Sequence, residues 1–108
     1  MSLNAGRTIS AATGLNGTYS TRAFSEHAVQ VIRGHKSDQP LYMYVAPQNV
    51  HLACGSKDSK LVQGIQAPCE TTDLYSSVVN DTFKAQSAVT GELDYLVGNV
   101  TDALKAAG

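Results

Sequence analysis

The uncharged run Leu41–Ala46, with the sequence LYMYVA, constrains the fold of this chain more than any other segment. All six residues are apolar or aromatic, so neither face of an extended strand formed by them would be polar. Strands of this kind are typical of parallel sheets that are covered by helices on both sides. The run therefore predicts a buried strand in an α/β fold, with Tyr42 and Tyr44 packed in the core.

A helix is expected immediately before this run, over residues Ser20–Arg33. Its apolar residues form one stripe at helical spacing: Phe24, Ala28, Val31 and Ile32. Ser20 or Thr21 is expected to cap its start, and Gly34 to end it in the left-handed conformation. A helix, a short turn and a buried strand make half of a β-α-β unit.

The second half of the chain predicts a long loop followed by a long helix. Pro47–Pro68 shows little periodicity, and loops of this length are usually functional or disordered. In Ala85–Ala107, apolar residues recur every three or four positions: Val89, Leu93, Leu96, Val97, Val100 and Leu104. A helix break or cap is expected near Asn80, and Gly108 is expected to end the helix.

Only one strand is predicted, and a strand apolar on both faces needs neighbours on both edges. Residues 1–108 are therefore expected to be a single partial domain of a larger α/β fold. Unprotected strand edges would favour self-association.

Charge and cysteine content exclude several functions. The net charge is −1, with 8 basic and 9 acidic residues and no basic cluster, so neither nucleic acid nor an anionic membrane is expected as a partner. No apolar run is long enough for a membrane helix, and Met1–Gly6 lacks the apolar core of a signal peptide. Cys54 and Cys69 either form a disulfide, which would stabilise the folded chain by roughly 3 kcal/mol, or remain free thiols. No metal-ligand spacing is present, so no metal site is expected.

Four stretches of the chain resemble one enzyme family. They are GTYSTRAF at 17–24, QPLYMYVA at 39–46, QNVH at 48–51 and VTGELDYLVGNVTDALK at 89–105. Together they resemble type I sulfatases of the arylsulfatase B-like kind, which have an alkaline phosphatase-like α/β fold. The resemblance implies an internal segment of an enzyme that hydrolyses sulfate esters.

The resemblance also implies cofactors that this chain is not expected to hold. The family uses a formylglycine, made from the cysteine of a C-x-P-S-R or C-x-A-x-R motif, and a calcium ion bound by acidic residues. Neither Cys54 nor Cys69 lies in such a motif, and the calcium ligands fall outside the matched stretches. Calcium and formylglycine are therefore expected in the full-length family only, and this chain alone is expected to be inactive.

His51 is the one residue expected to be catalytic. It matches the family's histidine after the strand, which implies a hydrogen bond to the sulfate group and protonation of the leaving oxygen. Ligands in open α/β sheets bind beyond the carboxyl ends of strands, and imidazole titrates near neutrality. The alternative is a structural histidine in a loop. Leu52 follows it where the family often has proline.

The other polar candidates are expected to have structural or surface roles: His27, His35, Lys57, Lys60, Glu92 and Asp94. Glu92 and Asp94 are two positions apart on a helix and would point to different faces, so both are expected to be solvated rather than to act as a carboxylate pair.

Two other functions remain open. The chain could be a non-catalytic, truncated sulfatase-like module with a binding or structural role, or a relative that acts on phosphate esters. Export to the lysosome or cell exterior is expected from the resemblance and from three glycosylation sequons, at Asn16, Asn80 and Asn99.

Overall fold

The computed structural model describes residues 13–51 and 64–108, which form a small helical assembly. A 3-10 turn at Thr13–Leu15 precedes α1, Ser20–Gly34. The short helix α2 spans Cys69–Asp73, and the long helix α3 spans Asp81–Ala107. α3 packs against both α1 and α2. Within the described ranges, no helix is long and apolar enough to cross a membrane.

Helix α1 confirms the predicted location but not the predicted capping of its two ends. Tyr19 occupies the N-cap position in an extended conformation, and no side chain caps the helix. Gly34 is helical, and the backbone N–H of His35 donates to the Ile32 carbonyl at 3.2 Å. The predicted capping by Ser20 or Thr21 and the left-handed Gly34 were therefore wrong.

The buried face of α1 is narrower and more polar than its sequence stripe suggests. Its buried residues are Thr21, Ser25, Ala28 and Ile32. Phe24 is 41% exposed and Val31 is 37% exposed, so half of the predicted stripe faces outward. Small side chains allow α3 to approach closely, and Asn99 of α3 donates to the Ser25 hydroxyl at 3.0 Å.

Helix α3 begins where the sequence indicated a cap. The Asn80 side-chain oxygen accepts from the backbone N–H of Phe83 at 3.1 Å. Gly108, with a φ of 84°, follows the last helical residue, as predicted. The buried residues are Ala85, Ala88, Val89, Glu92, Leu96 and Ala103. A small apolar cluster joins Ile65 and Ala67 of the preceding segment to Ala85 and Val89.

The predicted α/β fold with a buried strand at Leu41–Ala46 was wrong. Apart from a single bridge residue at Ile65, the described part of the chain contains no strand. Tyr42 is 91% exposed and Tyr44 is 82% exposed, which excludes the expected core positions. No backbone–backbone hydrogen bond between described residues involves this run. A strand needs a neighbouring backbone, and the surrounding described elements are helices whose own N–H and C=O groups are already paired.

Candidate functional site

An open cleft of about 660 Å³ lies where the start of α1 faces the turn at residues 48–51. Its walls come from four parts of the chain: Tyr19, Ser20, Thr21, Pro47, Gln48, Asn49, Val50, His51, Gln66 and Val89. His51, the one residue expected to be catalytic, is on this wall and is exposed.

The turn that carries His51 has an unusual backbone. The His51 N–H donates to the Gln48 carbonyl at 3.2 Å, which closes a four-residue turn. Val50, the third residue of the turn, has a φ of 64°. This left-handed conformation is rare and strained for a β-branched residue. Strained backbone of this kind is concentrated at functional sites, where the surrounding structure holds it in place.

Asn49 connects this turn to both long helices. Its side-chain oxygen accepts a hydrogen bond from the hydroxyl of Thr21 in α1. Its amide nitrogen donates to the Val89 carbonyl of α3 at 2.9 Å. Thr21 is 1% exposed and Val89 is 3% exposed, so both partners belong to the rigid helix interface.

Tyr19 connects the start of α1 to the segment that leads into α2. Its hydroxyl donates to the Gln66 carbonyl at 3.0 Å. Partial burial raises the pKa of this phenol, because the phenolate would lose solvation. At neutral pH the hydroxyl therefore keeps its proton and acts as a hydrogen-bond donor.

A charged cluster centred on Arg22 lies next to the cleft. The guanidinium donates to both carboxylate oxygens of Glu92, from Nε at 2.9 Å and from Nη2 at 2.6 Å. Its Nη1 contacts Glu70 of α2 at 2.7 Å. The Thr71 hydroxyl also donates to Glu92. Arg22 thus joins all three α-helices through charge-assisted hydrogen bonds, which are the stronger kind.

Arg22 and the two glutamates favour each other's charged forms. The hydrogen bonds from Arg22 lower the pKa of Glu92, against the opposing effect of burial. The pKa of Glu70 is lowered first by a backbone hydrogen bond and then by Arg22. The pKa of Arg22 is raised, mainly by Glu92. The cluster is therefore fully ionised at neutral pH.

The expectation that Glu92 is a solvated surface residue was wrong. Glu92 is only 3% exposed and belongs to the helix interface. The sequence contained a signal, because Glu92 lies three residues after Val89 and four before Leu96, which places it on the apolar face of α3. Asp94 is exposed, as expected.

The remaining candidates lie away from the cleft or outside the described residues. His27 is exposed on α1, and the His35 ring donates from Nε2 to the Gln39 carbonyl at 2.7 Å. Cys69, at the start of α2, is exposed and has no disulfide partner among the described residues. Outside the described ranges lie Cys54, Lys57 and Lys60. The surface roles expected for the two lysines, and the alternative of a disulfide with Cys54, stay predictions.

The described residues do not form a cation site. Within 13–51 and 64–108, no three His, Cys, Asp or Glu side chains are close enough together to hold a metal ion. The carboxylates of Glu70 and Glu92 are both paired with Arg22. This part of the chain therefore does not fit the calcium ion that the sulfatase resemblance implies.

Comparison with known proteins supports the predicted resemblance at the level of the family. The chain is 33% identical over 93 residues to arylsulfatase J of Mus musculus, an alignment that covers 86% of this chain. The chain spans only 14% of the length of that relative. No family model matches the chain, and no solved structure matches it. The similarity indicates a sulfatase-like fragment.

Proposed function

We propose that this chain is the segment of a sulfatase that binds the sulfate group of a sulfate ester through His51. The observation that supports the proposal is the position of His51 on an open cleft. Most of this chain, 86%, aligns with arylsulfatase J. Sulfate esters are anions, so a cleft that binds them should offer hydrogen-bond donors.

Two features of the cleft support anion binding. The imidazole of His51 can donate a hydrogen bond to a sulfate oxygen and, when protonated, can transfer a proton to the leaving oxygen. The N-cap residue Tyr19 and the first two residues of α1, Ser20 and Thr21, line the same cleft, and the helix start has no side-chain cap. Backbone N–H groups at a helix start are uncompensated donors at the positive end of the helix dipole.

The proposed role is limited to binding and proton transfer. Neither cysteine lies in a sulfatase nucleophile motif, and the described residues form no cation site. Formylglycine would supply a nucleophile and calcium would supply positive charge in a complete sulfatase, and no step of this proposal passes through either. We therefore expect the purified chain to bind sulfate without hydrolysing sulfate esters.

Titration of the chain with inorganic sulfate, followed by two-dimensional NMR, tests the proposal. Sulfate should shift the His51 ring signals and the backbone amides of residues 20–22. His51→Ala should weaken binding about 10- to 100-fold, because a hydrogen bond to a charged group contributes about 1.5–3 kcal/mol. His27→Ala removes a different exposed histidine, which lies on α1, and should leave the affinity for sulfate unchanged.

Three results would contradict the proposal. They are the absence of sulfate binding, equal effects of the two histidine variants, and turnover of 4-nitrocatechol sulfate that His51→Ala abolishes. The first two would refute sulfate binding through His51, and the third would refute the expected inactivity. Phosphate that binds at least tenfold more tightly than sulfate would favour a phosphate-ester relative.

A non-catalytic binding module is the second candidate, and the exposed apolar side chains of the two long helices favour it. Phe24 and Val31 of α1, and Val97 and Leu104 of α3, are between 37% and 53% exposed. Such residues suit contact with a protein partner. A monomer that unfolds cooperatively and does not bind sulfate would support this function.

We further propose that the protein is exported. The similarity to arylsulfatase J and the three sequons support this localisation. Asn16 is exposed, and its sequon precedes α1. Expression behind a secretory leader should give a mobility shift that endoglycosidase removes.

A further inference from the structure

We infer that Asn49 is the positioning residue for His51, holding the 48–51 turn so that the imidazole faces the cleft. The part of this inference that concerns sulfate affinity rests on the proposed function. The part that concerns the position of the imidazole does not.

An asparagine suits this position because it must accept one hydrogen bond and donate another. The Thr21 hydroxyl donates to Oδ1, and Nδ2 donates to the Val89 carbonyl at 2.9 Å. Because a carbonyl can only accept, the orientation of the amide is determined by its partners. Aspartate would lose the donor, and serine has only one short hydroxyl for two widely separated partners.

The partners of Asn49 are well fixed. Thr21 and Val89 are almost completely buried at the interface between α1 and α3. Asn49 is 28 positions from Thr21 and 40 from Val89, so it holds the turn against two distant parts of the chain. The turn therefore cannot shift without breaking at least one of these hydrogen bonds.

The backbone next to Asn49 requires such support. Val50 has a φ of 64°, a conformation that valine rarely adopts by itself. Without the hydrogen bonds of Asn49, Val50 would relax to a negative φ. His51 is the next residue, so this rotation would move its imidazole relative to the start of α1. Asn49 thus acts on the cleft through His51 and need not contact the anion.

A matched control separates positioning from general stability. Asn99 also joins α1 and α3 through its side-chain amide, which donates to the Ser25 hydroxyl at 3.0 Å. It does not line the His51 cleft. Asn49→Ala removes two side-chain amide hydrogen bonds to this pair of helices and Asn99→Ala removes one, and only the first variant affects the support of the turn.

The experiment compares both variants with the unmodified chain, using NMR of the His51 ring, titration with inorganic sulfate and urea unfolding. Asn49→Ala should change the His51 ring signals and weaken sulfate binding about tenfold. This magnitude is the lower end of the loss in affinity seen in metalloproteins when the residue that orients a metal-binding side chain is removed. Asn99→Ala should reduce stability but leave the ring signals and the affinity within twofold. If Asn49→Ala does not fold, Thr21→Val removes only the hydroxyl donor and should change the ring signals in the same direction.

The outcomes separate this inference from the proposed function. Suppose that the unmodified chain binds sulfate, and that Asn49→Ala (or its substitute Thr21→Val) changes neither the His51 ring signals nor the affinity. The positioning role is then refuted, and the proposed function stands. Equal changes in the His51 signals of Asn49→Ala and Asn99→Ala would also refute it. If the unmodified chain does not bind sulfate, the proposed function fails. A change in the ring signals specific to Asn49→Ala would still support positioning.

Discussion

The two interior glycines of α3 provide a test of how the α2–α3 connection packs. Gly91 and Gly98 lie in the same helix, and alanine at either position should gain about 0.8–1.0 kcal/mol from helix propensity. A Cβ at Gly98 would have no neighbour within 4 Å. At Gly91 it would lie 2.6 Å from the Tyr75 hydroxyl oxygen. The same substitution should therefore have different effects at the two sites.

The expected magnitudes follow from these distances. Gly98→Ala should raise the free energy of unfolding by about 0.8–1.0 kcal/mol. At Gly91 the forced displacement of Tyr75 should cost about 1–3 kcal/mol, as overpacking does elsewhere, and should cancel or reverse that gain. In a Tyr75→Phe background the nearest atoms would be ring carbons at 3.5 Å, an ordinary contact, so Gly91→Ala should again stabilise.

Urea unfolding of the four single and double variants, followed by circular dichroism at 222 nm, measures these effects. The double-mutant cycle for Gly91→Ala and Tyr75→Phe should show a coupling of about 1–3 kcal/mol. Equal stabilisation by Gly91→Ala and Gly98→Ala, with Tyr75 intact, would refute the packing of Tyr75 over α3.

Three further predictions concern charge, backbone strain and association. The hydrogen bonds from Arg22 lower the pKa of Glu92. The stabilisation from this pair is therefore complete above the ordinary carboxyl pKa of about 4.3, and it is lost as the pH falls through the lowered pKa. Urea unfolding should therefore show a loss of stability on acidification that is smaller in Glu92→Gln, and an identical pH dependence would contradict the pairing. Val50→Gly should raise the free energy of unfolding by about 1 kcal/mol in thermal or urea unfolding, because glycine tolerates a φ of 64°. Little packing would be lost, since Val50 is already 51% exposed. A decrease of similar size would argue against the strained turn. Self-association through Leu41–Ala46 is expected because its side chains are uncharged and its backbone forms no backbone–backbone hydrogen bond with the other described residues. Tyr44→Lys should reduce it, whereas Val79→Lys, at an exposed apolar residue outside the run, should not. Equal effects of the two changes in sedimentation velocity would exclude this run as the interface.

The helices could be located from the sequence because their signals are local. The apolar spacing within α1, the cap at Asn80 and the glycine at the end of α3 all depend on residues a few positions apart. The faces of the helices were less accurate. Phe24 fits the apolar stripe of α1 but is exposed, whereas Thr21 is buried. The neighbouring helix determines which side of a helix is covered, and periodicity does not contain that information.

The run Leu41–Ala46 shows the limit of a local pattern. Six uncharged residues favour an extended, buried conformation, but burial requires a second backbone and a covering layer. The described residues provide helices, so Tyr42 and Tyr44 remain exposed. The sequence pattern describes one segment, whereas a strand forms only between a pair of segments, and the described residues do not provide the second one.

The sequence by itself determined the positions of the two long helices, and its resemblance to sulfatases identified His51 as the candidate for sulfate chemistry. Tertiary structure decided what surrounds that histidine. Asn49 bonds to a carbonyl 40 positions away, and Arg22 pairs with a glutamate 70 positions away. Contacts over such separations have no signature in local spacing, because they depend on how the helices pack. The sequence can therefore indicate the candidate residue, but only the packed structure shows which side chains fix its position.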